Sequence, residues 1–358
     1  VKLSHVIEEL FEEKGLDPKV LQQVVLDGML AAYTKHYPDL ELKVEYSKNG
    51  DSIDVFIKKQ VVSSVDDSTV QLSVRKARGF KNNSVVGDEI WVPFLEPIGR
   101  VDVLRAKQVI SQKIRRIEAD SVFQEYSPKE GEIVHGVVHR CERNGIVVKV
   151  QDAFAFLPRS LTIPGQPCVV GYAVRALLKE VLEEPRNENQ LILDRVSSSF
   201  LRRLFELEIP EVFEKLVEIK KIVRAPGYKS KVVVISNDEN IDPVGTCVGI
   251  GGARIKPILR ELGSEKIDII AHTSSLEKLV CDALKPAVVN KVEIVDNCAR
   301  VWVDDDQRSL AIGKRGQNIS LASQLCELEI ELEKSSGNAI SPFAEDVDSS
   351  ENVGDSHE

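Results

Sequence analysis

The sequence predicts a multidomain α+β chain: a mixed α/β N-terminal domain, then a small β-barrel, then an α/β module present twice in tandem. Three observations predict it. Helical spacing of apolar residues gives way near residue 127 to five short alternating runs. From about residue 199 one order of strands, helices and glycine loop occurs twice. The apolar content is 42%, yet aromatics are 5% with only two Trp, so the mass is Val, Ile, Leu and Ala, which suits several small cores better than one large one.

Residues 1–126 read as helix, helix, hairpin, strand and long helix, and form the first predicted domain. Asp17 is placed to cap a helix and Pro18 to occupy its first position, after which Val20, Leu21, Val24, Val25, Met29 and Ala32 keep helical spacing. Two alternating runs, Leu40 to Tyr46 and Ser52 to Lys58, flank Asn49-Gly50, a dipeptide that accepts the positive φ of a tight hairpin turn. From Gly99 to about Phe123 a long helix puts Val103, Ala106, Ile110, Ile114 and Ile117 on one stripe, with Arg105, Lys107, Lys113, Arg115 and Arg116 elsewhere.

Residues 127–197 hold five strand-like runs: Glu132 to His139, Gly145 to Val150, Ala153 to Pro158, Val169 to Leu177 and Gln190 to Asp194. Five short strands in this length predict a small barrel of the OB type. Phe154, Phe156 and Tyr172 lie among His135, His139, Arg140, Arg143, Arg159 and Arg175. Two readings stand side by side: aromatics that fill the barrel, or aromatics that stack bases beside cations that hold phosphates.

Residues 198–284 and 285–334 carry the two copies of the repeated module. In the first, strands Val217 to Val223 and Lys231 to Ser236 precede a helix–loop–helix beginning at Pro243 and a strand Lys266 to Ala271. In the second, strands Lys291 to Val295 and Ala299 to Val303 precede a helix–loop–helix from Gln307 and a strand Glu327 to Leu332. Gly249, Gly252 and Ile255 fall on Gly313, Gly316 and Ile319. Paired glycines bracketing two residues let main chain approach a sugar-phosphate strand because no Cβ stands in the way. The amides opening the following helix then point at phosphate. This is the arrangement of the KH module, here tandem and of the type II, prokaryotic kind, whose loop clamps roughly four nucleotides of single strand. The candidate RNA contacts are therefore Gly249, Ile250, Gly251 and Gly252 with Arg254 and Lys256, and Gly313, Lys314, Arg315 and Gly316 with Gln317 and Asn318. Lys314 and Arg315 make the second loop the more electrostatic grip.

Other chemistries find little support. Net charge is −10, so nucleic-acid binding must be local and shaped, not bulk attraction. Gly249-Ile-Gly-Gly lacks the third glycine of a dinucleotide fingerprint and follows a helix, and Gly313-Lys-Arg-Gly lacks a P-loop ending. His135 and His139 have no third ligand, and no Ser/His/Asp or Cys/His arrangement stands out. The expectation is a protein without metal, cofactor or catalytic residue, not an enzyme. The six cysteines, Cys141, Cys168, Cys247, Cys281, Cys298 and Cys326, include no CxxC pair and are expected to be buried, reduced thiols. No signal-peptide run and no apolar stretch of about 18 residues occurs, so the expectation is a cytoplasmic protein with no membrane association. Residues 335–358, with six acids and no Lys or Arg, are expected to be a disordered acidic tail.

The local runs Ala106-Lys-Gln-Val-Ile, Gly131-Glu-Ile-Val-His-Gly-Val-Val, Phe205-Glu-Leu-Glu-Ile-Pro-Glu-Val, Ile241-Asp-Pro-Val-Gly-Thr-Cys-Val-Gly, Glu265-Lys-Ile-Asp-Ile-Ile and Gly316-Gln-Asn-Ile-Ser-Leu-Ala-Ser-Gln-Leu, in this domain order, resemble the NusA family of bacterial transcription factors over roughly residues 1–334. The resemblance implies an N-terminal domain that docks on RNA polymerase through a helix on which Arg100 and Lys107 match. It implies a barrel of the ribosomal-protein S-one type and two KH modules that receive single-stranded nascent RNA. It also implies a monomer that modulates pausing, termination and antitermination together with other Nus factors. The chain departs from the family at Gly251, where relatives often carry a basic residue, and in the strand after Pro167. It also lacks the acidic repeat domains of some relatives, so autoinhibition by such repeats is not expected. Two rival classes, a phosphorolytic exonuclease accessory and a ribosomal RNA-binding protein, share KH or barrel modules. The first is disfavoured by the domain order and the missing catalytic core, the second by the acidic net charge.

Overall fold

The computed structural model describes residues 18–47, 52–96 and 99–334. The chain divides into two compact units, 1–124 and 125–358. The Asp17 cap, the first expected helix, the Asn49-Gly50 turn and the acidic tail lie outside the described residues. Among the described residues no helix is long and apolar enough to cross a membrane.

In the first unit, helix α1 (Pro18–His36) precedes strands β1 (Leu42–Tyr46), β2 (Ile53–Val62) and β3 (Gln71–Ser73), a short helix α2 (Val74–Ala77), strand β4 (Glu89–Pro93) and helix α3 (Arg100–Tyr126). The ten-residue β2 is the hub: it pairs antiparallel with β1 and β4 and parallel with β3. It runs on past the predicted end at Lys58 because Gln60 to Val62 find partners in Gln71 to Ser73. Tyr33, Leu42, Val44, Val55 and Ile57 form the core under the sheet, with Phe94 edge-on to Tyr33 and Tyr37. A second cluster joins Leu21 and Val24 of α1 to Ile114 of α3, with Ile110 and Ile117 packed against it. Gly28 permits this close crossing, since a Cβ there would meet Ile110 Cγ1 at 2.3 Å. The predicted stripe of α3 is corrected at its start. Val103 is 52% exposed, while Asp102 is buried, its carboxylate 2.9 Å from His36 Nδ1 and 3.7 Å from Arg105 Nη1.

The second unit opens with a closed barrel of β5 (Ile133–Cys141), β6 (Gly145–Val150), β7 (Ala153–Pro158), β9 (Asn189–Asp194) and β8 (Ala173–Arg186), in that order round the barrel. Only β7 and β9 pair in parallel; the other neighbours are antiparallel. The fourth strand begins later and runs longer than predicted. Gly171 takes φ +86° and holds residues 169–172 in a turn. At the other end Asn187 and Glu188, both at positive φ, close a two-residue hairpin between Arg186 and Asn189. Along β7 Ala153, Ala155 and Leu157 point inward, and Phe154 and Phe156 occupy the alternate, outer face. The barrel is filled by small aliphatics such as Val138, Val148, Val150, Leu178 and Leu191, so the aromatics do not fill it.

The first KH module comprises α4 (Ser198–Glu208), α5 (Pro210–Phe213), β10 (Val217–Ala225), β11 (Lys229–Ser236), α6 (Pro243–Val248), α7 (Ile255–Leu262) and β12 (Lys266–Ala271). The second comprises α8 (Leu276–Leu284), β13 (Lys291–Val295), β14 (Cys298–Val303), α9 (Asp305–Ile312), α10 (Gln317–Cys326) and β15 (Glu329–Lys334). In each sheet the first pair is antiparallel and the second parallel. Helix α8 belongs by packing to the second copy, since Val280, Ala283 and Leu284 share a core with Val301, Leu321 and Leu325. The expected boundary after residue 284 therefore falls one helix late.

Barrel and modules share cores. Ile163 and Leu177 of the barrel segment pack with Phe200, Leu201, Leu204 and Phe205 of α4, themselves against Val217, Val232 and Val234. Val223, Val233 and Ile270, on the far side of the first KH sheet, pack with the second module. Central strand β11 is thus covered on both faces, which is why Lys-Val-Val-Val-Ile shows no alternation. Polar links reinforce the junctions. Glu261 accepts from Arg175 Nε at 2.9 Å and Arg195 Nη2 at 2.8 Å, and Lys221 Nζ donates to the Leu325 carbonyl at 2.8 Å.

The cysteine expectation holds for Cys247 and Cys326, which are free and buried, and in part for the free, half-buried Cys281 and Cys298. It fails for Cys141 and Cys168, which form a disulfide with Cα atoms 6.2 Å apart. Barrel closure brings the end of β5 beside the connector before β8, and a separation of 27 residues in sequence gives no sign of that.

Candidate nucleic-acid interface

The two glycine loops are built alike. Asp242 caps α6, its carboxylate oxygens accepting from the Val244 and Gly245 amides at 3.0 Å, with Pro243 as first helical residue. The helix stops at Gly249, whose φ and ψ are 74° and 163°; α9 stops at Gly313 with 71° and 177°. The third loop residues are both left-handed, Gly251 at φ 60°, ψ 21° and Arg315 at φ 58°, ψ 27°. Gly252 and Gly316 close the loops at φ +75° and +71°. Arg315 adopts a backbone that costs a side-chain-bearing residue on the order of 1 kcal/mol or more. At Gly251 the same conformation is free of that strain, and nothing stands within 4 Å of a Cβ placed there. The first loop therefore trades a cation for an easier backbone.

The first glycine of each loop has an internal purpose. A Cβ at Gly249 would meet Arg254 Cγ at 2.9 Å, and one at Gly313 would meet Asn318 Cβ at 2.7 Å. Arg254 and Asn318 each stand five residues after that glycine, and each donates to the carbonyl three residues before it. Arg254 Nη1 reaches the Thr246 oxygen at 2.9 Å, and Asn318 Nδ2 the Leu310 oxygen at 3.3 Å. Arg254 is further held by Glu211 Oε1 at 2.8 Å. Asn318 also donates to the carbonyls of Leu284 and Ala311, both at 3.2 Å, and accepts from Lys229 Nζ at 3.4 Å. Asn318 is 3% exposed. Its side chain faces inward, which corrects its expected place as a side-chain contact for RNA; Arg254 is likewise engaged within the fold. Both tie the loop shut across the turn, satisfying carbonyls that a helix end leaves open.

The remaining candidates face solvent. Ile250 is 99% exposed; Gly251, Lys256, Lys314 and Arg315 are exposed, and Gln317 half-buried. Neither Lys314 nor Arg315 enters an ion pair with another described residue. Behind the first loop Cys247 is fully buried. Burial, with Glu211 nearby, pushes its thiol up to about 12, so it stays protonated and serves as packing, not as a nucleophile.

For the barrel, where the sequence supports two readings, the structure adds residues. His139 and Phe154 lie ring to ring at 5.1 Å; Tyr172 is 69% and Val137 46% exposed. The signal available in the sequence is the alternation of β7, which puts its two Phe on one face and its two Ala on the other. In the N-terminal unit Arg100 and Lys107 are exposed on α3, seven residues and so about two turns apart. The exposed apolar side chains of Val101 and Leu104 share the first turns of the helix with them.

Three family descriptions match the chain: a NusA N-terminal domain over residues 2–120, a NusA-like first KH domain over 195–272 and a NusA-like second KH domain over 276–339. Among curated relatives, the transcription termination/antitermination protein NusA of Rickettsia conorii is 33% identical over 93% of this chain and 67% of its own. The proteins of that name from Bacillus subtilis and Thermus thermophilus are each 32% identical over 92% of this chain, and over 90% and 88% of their own lengths.

Proposed function

Because the chain belongs to the NusA family of transcription termination/antitermination proteins, we propose that it binds emerging single-stranded RNA through its two glycine loops. While doing so it docks on RNA polymerase through α3, with Arg100 and Lys107 on the docking face. In this reading the factor acts in the cytoplasm as a monomer, without catalysis of its own, alongside other Nus factors, to modulate pausing, termination and antitermination. Its modules are residues 1–126 for polymerase, 127–197 for the barrel, and two KH units that meet ahead of α8.

One observation carries the reading. Two loops remote in sequence repeat the same succession of positive-φ residues, each with an open crest, and the second bears two cations with no counter-ion among the described residues. A backbone bare of Cβ lets phosphate come close, and Lys314 and Arg315 supply the charge. The outward His139, Phe154 and Tyr172 suit base stacking and extend the same interface to the barrel.

Replacing Lys314 and Arg315 together by Asp tests this. Affinity for single-stranded RNA should fall at least tenfold, and the plot of log affinity against log salt should flatten by about 1.4, roughly 0.7 for each phosphate no longer neutralised. Circular dichroism and polymerase binding should not change. Unaltered RNA affinity would remove the assignment of the second loop. Shortening of the RNA on incubation with phosphate and magnesium would instead favour the phosphorolytic class.

A further inference from the structure

The N-terminal unit carries a second concentration of free positive charge. Between Asp67 and Asp88 the chain contains no acidic residue, yet holds Arg75, Lys76, Arg78 and Lys81, within a protein whose net charge is −10. All four are exposed or half-buried at the surface, and none enters an ion pair or side-chain hydrogen bond with another described residue. Phe80, in their midst, is 55% exposed.

This segment is built, not loose. Ala77, fully buried, anchors α2 in a cluster with Val61, Leu72 and Ile90. The chain goes on turning past the helix, with the Arg78 amide on the Val74 carbonyl and those of Phe80 and Lys81 on the Ala77 carbonyl. Ser84, 1% exposed, fastens the far end, its hydroxyl donating to the Lys81 carbonyl at 2.7 Å. Because the backbone keeps turning, Arg75, Arg78 and Lys81 recur every third residue and share a side. Like charges so placed repel one another, and among the described residues no carboxylate pairs with them.

We propose that Arg75, Lys76, Arg78 and Lys81, with Phe80, form an additional contact surface for single-stranded RNA on the N-terminal unit. Four cations on a fixed scaffold meet successive phosphates, and an exposed ring among them offers a face on which an unpaired base stacks. An acidic protein surface would use the cations and leave the ring without a role; the ring favours RNA. The inference stands independently of the glycine loops, and its test separates the two.

The experiment uses the full chain carrying Lys314→Asp and Arg315→Asp, and a fluorescein-labelled single-stranded RNA of about 20 nucleotides, long enough to span several phosphates. Adding Arg75→Gln, Lys76→Gln, Arg78→Gln and Lys81→Gln should lower the residual affinity and flatten the salt dependence by a further 2 to 3, roughly 0.7 for each cation. Phe80→Ala alone should lower affinity about tenfold with little change of slope, and Phe80→Leu should behave alike, as expected for lost stacking. Ultraviolet cross-linking should mark the peptide containing Phe80. Residual affinity and slope unmoved by the four Gln changes would overturn the proposal, whatever the loop variants had shown. It would equally be overturned if a poly-glutamate peptide bound in a way abolished by the Gln changes and indifferent to Phe80, while RNA binding stayed constant; that would identify an acidic protein partner.

Discussion

Replacing Asn318 by Ala separates a residue that builds the loop from one that touches the ligand. Its amide nitrogen donates to three carbonyls, those of Leu284, Leu310 and Ala311. Two N–H groups cannot fully serve three acceptors, so about two hydrogen bonds disappear on truncation, each on the order of 1 kcal/mol net. The carbonyls of Leu284 and Ala311 left behind are buried, and an unsatisfied group adds about 1–3 kcal/mol. Lys229, sharing Asp268 with Lys231, loses a weak acceptor as well. The sum is about 3–5 kcal/mol. For a cooperative unit the size of residues 125–358, that corresponds to a fall in Tm of about 6–20 °C. Urea unfolding and thermal scans of wild type and Asn318→Ala measure it, beside RNA affinity over a salt series. Asn318→Asp should be no better, since a carboxylate cannot donate to three carbonyls. A variant with stability within about 0.5 kcal/mol of wild type, the range of a neutral surface change, but an affinity tenfold lower would refute the reasoning and return Asn318 to the ligand.

Three further outcomes follow from the packing. Glu265, 1% exposed, accepts from Arg224 Nε at 2.7 Å and Nη2 at 2.9 Å, from Ser230 Oγ at 2.6 Å and from the Gly227 amide at 2.9 Å; Glu265→Gln should cost about 3–5 kcal/mol in urea unfolding because it leaves a buried guanidinium without its counter-charge. Reducing the Cys141–Cys168 bond, or changing both residues to Ser, frees a loop of 27 residues' separation and should lower stability by about 3–4 kcal/mol on the chain-entropy account, read as a drop in Tm with dithiothreitol that the double Ser variant no longer shows. The Asp27 carboxyl is held below its ordinary 3.8 chiefly by the hydrogen bond from Lys113. A depressed acid contributes stability that is present above the unfolded value and lost as pH falls through the folded one, so Asp27→Asn should shrink the loss of Tm below about pH 4 and leave the profile above about pH 5 parallel to wild type.

Much of the architecture is local and so is legible in the sequence. Period-two runs predict the strands of the barrel, helical spacing predicts α1 and α3, and two glycine pairs in register expose the duplication. Each of these signals comes from residues a few positions apart whose side chains must share a face. The departures are of another kind. Spacing places Val103 on a buried stripe, but Asp102 is buried there instead, its carboxylate set against His36 of another helix and Arg105 of its own. The two-residue turn at Asn187-Glu188 lacks glycine, so Asn187, which tolerates the left-handed region, is a weaker mark of the end of β8.

What the tertiary structure alone decided is which polar groups are taken up by partners within the fold. Arg254 and Asn318, beside a glycine loop, look like ligands of RNA from their neighbours in sequence, yet their partners Glu211 and Lys229 lie 43 and 89 residues away. The same holds for Cys141 and Cys168, and for Lys231, which is fully buried and whose ammonium burial makes easier to discharge while Asp268 holds it charged. A short-range pattern records the face on which a residue sits, since backbone geometry fixes that. It does not record what the folded chain carries to that face, because closing a barrel or stacking one sheet on another is settled by contacts between segments that share no local signal.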